Sequence, residues 1–184
     1  MKHAPKNQTS AAKEMFEWLQ TIAVAVVIVV LTFTFILRVV RVDGPSMTPT
    51  LLDGQRVIVT ELFYEPEVGD VVVVCVPGKS DPYVKRIIAT EGQVVDYSLS
   101  QNCLIVDGVP LEEEYINEEM TRLDWYSDSV YPVTVGEGEI FVCGDNRNHS
   151  SDSRYADIGP IDTSNVMGKV VLIMTPLSEF GLVK

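Results

Sequence analysis

The sequence predicts a mainly β protein carried by one N-terminal transmembrane helix. Three observations carry that reading. Leu19–Leu37 is a run of 19 residues without a charge. After Arg41 continuous apolar sequence gives way to short runs rich in Val, Ile and Tyr, separated by Gly, Pro and Asp. Beyond the apolar run no long 3.6-residue pattern recurs, which disfavours crossover helices and a parallel sheet.

A helix of 19 residues spans about 28 Å, close to the ~30 Å hydrocarbon core of a bilayer. Its many valines are weak helix formers in water, but lipid offers the backbone no competing partner. A cleavable leader would show an apolar stretch of about 7–15 residues and then small residues at the cut. Here the stretch is longer and ends in Arg38-Val39-Val40-Arg41, so it reads as a permanent anchor. Lys2, Lys6 and Lys13 precede it, and Arg38, Arg41 and Arg56 follow, so basic residues alone assign no orientation. Ser10 is placed to cap a short helix through Glu14–Trp18, with Trp18 at the interface. The organisation is then a leading segment 1–18, an anchor 19–37 and a β-domain 38–184.

Eight strands are expected in that domain: Arg56–Thr60, Asp70–Val76, Tyr83–Ala89, Gln93–Tyr97, Leu104–Val106, Tyr131–Val135, Glu139–Cys143 and Lys169–Met174. Turn signals such as Pro77-Gly78 and Asp107-Gly108 bound them. An insertion at about 98–138 interrupts the pattern. Within it Leu111–Ser129, with Glu112-Glu113-Glu114-Tyr115 and Leu123-Asp124-Trp125, reads as a solvated surface loop with a small hydrophobic cluster.

The net charge is −12, from 26 acidic and 14 basic residues. That sign argues against nucleic acid, whose phosphates demand Lys and Arg, and against polybasic attachment to anionic lipid. Cys75, Cys103 and Cys143 form no Cys-x-x-Cys pair, and the histidines are His3 and His149 alone, so no metal site is expected. Cys75 and Cys143 read as small buried strand residues.

Three segments carry polar chemistry. Gly44-Pro45-Ser46-Met47-Thr48-Pro49-Thr50-Leu51 begins a few residues beyond the anchor. Tyr83-Val84-Lys85-Arg86-Ile87-Ile88 places a lysine inside an apolar strand, pointing the opposite way from Val84 and Arg86. Gly144-Asp145-Asn146-Arg147-Asn148-His149-Ser150-Ser151-Asp152-Ser153-Arg154 is denser in polar groups than a turn requires, which indicates a fixed hydrogen-bond network.

In this order, behind a single anchor, the three segments resemble the type I signal peptidase family. The resemblance covers Val42 to about Val95 and Glu139 to the C-terminus, including Gly168-Lys169-Val170 and Pro176-Leu177-Ser178. It implies a mostly antiparallel β-domain and a membrane-bound serine endopeptidase that removes signal peptides after Ala-x-Ala-type sites, without a cofactor. By position Ser46 matches the nucleophile, Lys85 the general base and Ser150 the serine that hydrogen-bonds the lysine amine. Asp152 and Arg154 match a pair that shapes the site, and Asp145 a partner for Arg86. The implied partners are exported preproteins and the lipid bilayer, with the N-terminus in the cytoplasm and the catalytic domain outside. Two features depart from the family pattern. Gly44 stands where some members carry a serine that helps the oxyanion, and Ala89-Thr90-Glu91-Gly92-Gln93 follows the lysine in place of Gly-x-Pro-Gly-Asp. His149 reads as a solvated loop residue.

The chemistry sets one requirement. A lysine in water, with a pKa near 10.4, is charged at neutral pH and cannot take a proton from serine. Burial against apolar neighbours such as Val84, Ile87 and Ile88 would lower that pKa by destabilising the ammonium.

Overall fold

The structure is a computed structural model that describes residues 11–121 and 131–183. Ser10 and the cluster around Trp125 lie outside the described residues. The chain divides into two compact units after Leu37.

The first unit contains one helix, α1, Ala11–Phe35. It has no Gly or Pro, so the expected short helix at Glu14–Trp18 runs on into the apolar run without a break. Twenty-five residues extend about 38 Å. Its window Lys13–Thr32 has a mean hydropathy of 2.0, long and apolar enough to cross a membrane, and none of it is buried by protein. Thr21 and Thr32 donate their hydroxyls back to the carbonyls of Glu17 and Ile28, so these polar groups need no outside partner. The helix stops two residues short of Leu37 because the chain changes period there, and Leu37–Arg41 forms strand β1. The apolar run had masked this strand.

The second unit is two antiparallel sheets. The strands are β1, β2 (Arg56–Thr60), β3 (Val71–Val74), β4 (Tyr83–Thr90), β5 (Val94–Ser98), β6 (Cys103–Val106), β7 (Val109–Pro110), β8 (Val133–Thr134), β9 (Glu139–Cys143), β10 (Ile161–Asp162), β11 (Val166–Thr175) and β12 (Gly181–Leu182). The larger sheet runs β1-β2-β11-β3-β4-β9-β10, with β12 paired to β11; the smaller runs β7-β6-β5-β8. All eight expected strands are present within a few residues. The two-residue strands β7, β10 and β12 were not expected, because ladders that short carry no periodicity to read.

The four valines of β3 are all buried. Val71 and Val73 join one core with Val42, Met47, Leu51 and Val57, while Val72 and Val74 join another with Ile87, Ile140 and Val142. A strand covered on both faces accounts for an unbroken apolar run where a half-exposed strand would alternate. A third core, including Ile88, Leu104, Met120 and Phe141, joins residues of both sheets. Cys143 is buried there as expected, but Cys75 is exposed. It lies just past the end of β3, where the main chain still donates to Asn165 but the side chain has left the ladder.

Candidate active site

Ser46 lies in the loop between β1 and β2. Met47 and Leu51 are wholly buried beneath it and fix its height. Gly44 takes φ +84°, a left-handed conformation that costs a glycine little, and its N–H donates to Asp53 Oδ1 at 3.0 Å. The residue that departs from the family pattern therefore meets a backbone demand, and its own N–H is already committed. Ser46 itself is part-exposed at the floor of an open groove of about 610 Å³, whose walls include Val40, Asp43, Asp81 and Tyr83.

Lys85 reaches the same floor from the middle of β4, where it pairs with Val72. Its Nζ is 2.9 Å from Ser46 Oγ and 3.0 Å from the Val84 carbonyl. Only 4% of the residue is exposed. Burial lowers its pKa from 10.5 to about 8, against a smaller opposing pull from Asp152. Alternation sends Arg86 the other way. There it donates Nε and Nη2 to Asp145 at 2.9 and 2.8 Å and Nη1 to the Gly69 carbonyl, and Thr50 also donates to Asp145.

The polar segment closes over both. Gly144–Asp152 turns back so that the Asn146 N–H donates to the Ser46 carbonyl at 3.0 Å and Asn146 Nδ2 donates to the Pro45 carbonyl at 3.1 Å. Asp152 is fully buried and accepts from Gly144 N–H, Ser150 Oγ at 2.6 Å, and Arg154 Nε and Nη2 at 2.7 and 2.9 Å. Burial alone would raise its pKa, but Arg154 and these donors outweigh it and hold the carboxyl below its ordinary range. Such satisfaction is what a buried charge requires.

All seven residues singled out from sequence thus come together in one region. Ser46 and Lys85 touch; Ser150, Asp152 and Arg154 form a connected set beside them; Arg86 and Asp145 pair behind. One contact differs from the family expectation. Ser150 gives its hydroxyl to Asp152 and not to Lys85, because a buried carboxylate is the stronger acceptor. His149 is exposed, as expected.

Sequence reading missed Asn146, Arg147, Glu113 and Tyr115. Arg147, 1% exposed, donates Nη1 and Nη2 to Glu113 at 2.7 and 2.6 Å and Nε to the Gly144 carbonyl. The acidic stretch read as a solvated loop therefore packs on the site and buries Met120 as well as Glu113. A charge count contained a clue. Arg147 had no assigned partner in its own segment while Glu112-Glu113-Glu114 stood unexplained.

Gly144 shows how tightly the segment is drawn in. A Cβ there would lie 2.3 Å from Ser150 Oγ and 2.4 Å from the Ser46 carbonyl oxygen. Gly144→Ala is expected to push the Ser46 loop out of place and slow reaction at the Ser46 hydroxyl by about 100-fold, the scale of an ångström's misplacement, as read by labelling with a serine-reactive probe.

A β-domain that sets a serine hydroxyl against a buried lysine at the floor of an open groove has the layout of a serine hydrolase. The family model described as signal peptidase, peptidase S26, matches residues 15–175. Signal peptidase I of Bacillus licheniformis is 33% identical over 181 residues, covering 95% of this chain and 96% of that protein. Signal peptidase IB of Staphylococcus aureus strain Mu50 is 37% identical over 183 residues, covering 91% of this chain and 93% of the relative. A solved structure of a signal peptidase I from Enterococcus faecalis V583 is 30% identical, with a TM-score of 0.48 over 58% of this chain and 97% of that one. The chain belongs to the signal peptidase family of S26 peptidases and is a serine peptidase.

Proposed function

We propose that this protein is a membrane-anchored endopeptidase that removes signal peptides from exported preproteins, with Ser46 as nucleophile and Lys85 as its general base. The observation that carries the reading is the 2.9 Å approach of a buried lysine amine to a serine hydroxyl in a groove. Helix α1 is the anchor and keeps the β-domain on the extracytoplasmic face.

A preprotein enters the groove extended and pairs along the Val40–Asp43 and Asp81–Val84 segments, which admit small side chains of the Ala-x-Ala kind. Neutral Lys85 takes the Ser46 proton as Oγ attacks the scissile carbonyl carbon. The Ser46 N–H, which has no acceptor among the described residues, stabilises the oxyanion. The lysine ammonium then passes its proton to the leaving amine, and the mature chain departs. Water attacks the acyl-Ser46 ester, giving a proton to Lys85; collapse frees the signal peptide carboxylate and returns that proton to Ser46. Asp152 holds Ser150 and Gly144, and Arg86–Asp145 braces β4 behind the base.

Cleavage of a preprotein with an Ala-x-Ala site, by the detergent-solubilised full chain, tests this. Wild type should cut after the second alanine, and Ser46→Ala should fall by about 10³-fold or more. Only neutral Lys85 accepts a proton, so kcat/KM should rise with pH through about 8 and level above it. Activity retained by Ser46→Ala, or a flat profile between pH 6 and 9, would overturn the assignment.

A further inference from the structure

The segment Leu111–Thr121 follows β7 of the smaller sheet. It grips the catalytic region at five places. Glu113 binds both Nη groups of Arg147, and Tyr115 Oη donates to Glu113 Oε1 at 2.6 Å. The Tyr115 ring lies 4.0 Å from the Arg86 guanidinium carbon. Asn117 N–H donates to the Asp145 carbonyl at 3.2 Å. Asn148 Nδ2 donates to Glu118 Oε1 and to the Glu119 carbonyl, while its Oδ1 accepts from Thr121 N–H. Met120 packs into the core shared with Cys143, and Arg154 Nη1 lies 3.3 Å from its sulfur.

None of these contacts touches Ser46 or Lys85, yet they end on Asp145, Arg147 and Asn148, in the segment that binds the Ser46 loop, and on Arg86 of β4. Arg147 Nε ties down the Gly144 carbonyl, two residues before the Asn146 N–H that binds the Ser46 carbonyl. Arg86 is the neighbour of Lys85 on β4. A salt bridge with side chains 0% and 4% exposed is costly to build for stability alone, since its desolvation roughly cancels its attraction. Its geometry points to register instead.

We propose that Leu111–Thr121 is a strap that positions the catalytic dyad, with Glu113 as its anchor: through Arg147 it fixes the 144–150 segment against the Ser46 loop, and through Tyr115 it fixes Arg86 beside Lys85. Glu113 is a positioning residue. The proposal rests on the Ser46/Lys85 reading above.

A strap that aligns nucleophile and base without contacting peptide acts on turnover and not on binding. In the solubilised full chain, Glu113→Gln should lower kcat by about 10- to 100-fold with KM within about 2-fold. Tyr115→Phe, which keeps the ring and removes one hydrogen bond, should lower kcat by about 3-fold; it serves should Glu113→Gln not fold. A second measurement needs no activity. Amide hydrogen exchange at Asn146 and His149 should quicken by about 10-fold in whichever variant folds, while β3 and β4 exchange as in wild type. Wild-type kcat in the folded variants, a loss confined to KM, or unchanged exchange at Asn146 would overturn the strap. Wild type and Ser46→Ala are assayed alongside. If neither cuts, the catalytic reading has failed, and the exchange comparison still decides the strap.

Discussion

Lys85→Met is expected to abolish preprotein cleavage and, at pH 7, to stabilise the fold by up to about 3 kcal/mol, the energy equivalent of lowering a pKa from 10.5 to about 8. Both effects have one source. The site holds an amine that prefers to be neutral, and at pH 7 the folded protein must still carry it as an ammonium. The sign follows from the depressed pKa. Below pH 8 the lysine is charged in both folded and unfolded chains, and the folded chain bears the full penalty. Between pH 8 and 10.5 the folded lysine is neutral while the unfolded one is still charged, so wild-type stability rises with pH. Above 10.5 no penalty remains. The advantage of Lys85→Met should therefore be largest at and below neutral pH and fade across that window. Thermal unfolding of the solubilised chain should show a rise of roughly 6–12 °C at pH 7. Equal midpoints at pH 7 would mean that the lysine bears no burial penalty, and the argument for a neutral base would go with it.

Asp152→Ala is expected to destabilise the domain by about 3–5 kcal/mol, because it removes the carboxylate that accepts from both Nε and Nη2 of the buried Arg154. Thermal unfolding should fall by roughly 6–20 °C. Cleavage should be lost as well, since Gly144 and Ser150 both hang from the same carboxylate. Removing Arg154 in the same chain, as Asp152→Ala with Arg154→Met, should recover part of the stability but none of the alignment. That split would separate the two roles of the carboxylate, and a double variant as unstable as the single would refute the buried-charge account. In wild type Asp152 has a depressed pKa, so its contribution is complete above pH about 4 and is lost only as acid protonates the folded carboxyl.

Local sequence carried the elements that depend on local physics. The apolar run from Leu19 needs only its length to declare a membrane-competent helix, and the valines of β3 need only their density to declare a buried strand. The Gly144–Arg154 segment was legible because its polar residues are too closely spaced for a turn, whereas the Ser46 and Lys85 segments gained meaning only from their order and their resemblance to a family. What failed was the reading of boundaries and of partners. Strand Leu37–Arg41 was not foreseen, because two arginines and two valines directly after an apolar run carry no period of their own. Cys75 was placed inside because its run is apolar, whereas the ladder ends one residue earlier. Ser150 was expected on Lys85, and the nearby Asp152 draws it away.

Charge, a membrane-length helix and a β-domain were thus determined by the sequence alone, since each follows from composition or spacing along the chain; the peptidase residues came from resemblance to a family. The tertiary structure alone decided that Lys85 is buried against Ser46, that Asn146 clamps the Ser46 loop, and that Glu113 meets Arg147. Each of these depends on segments from about 30 to 100 residues apart brought into contact, and desolvation exists only once they are packed.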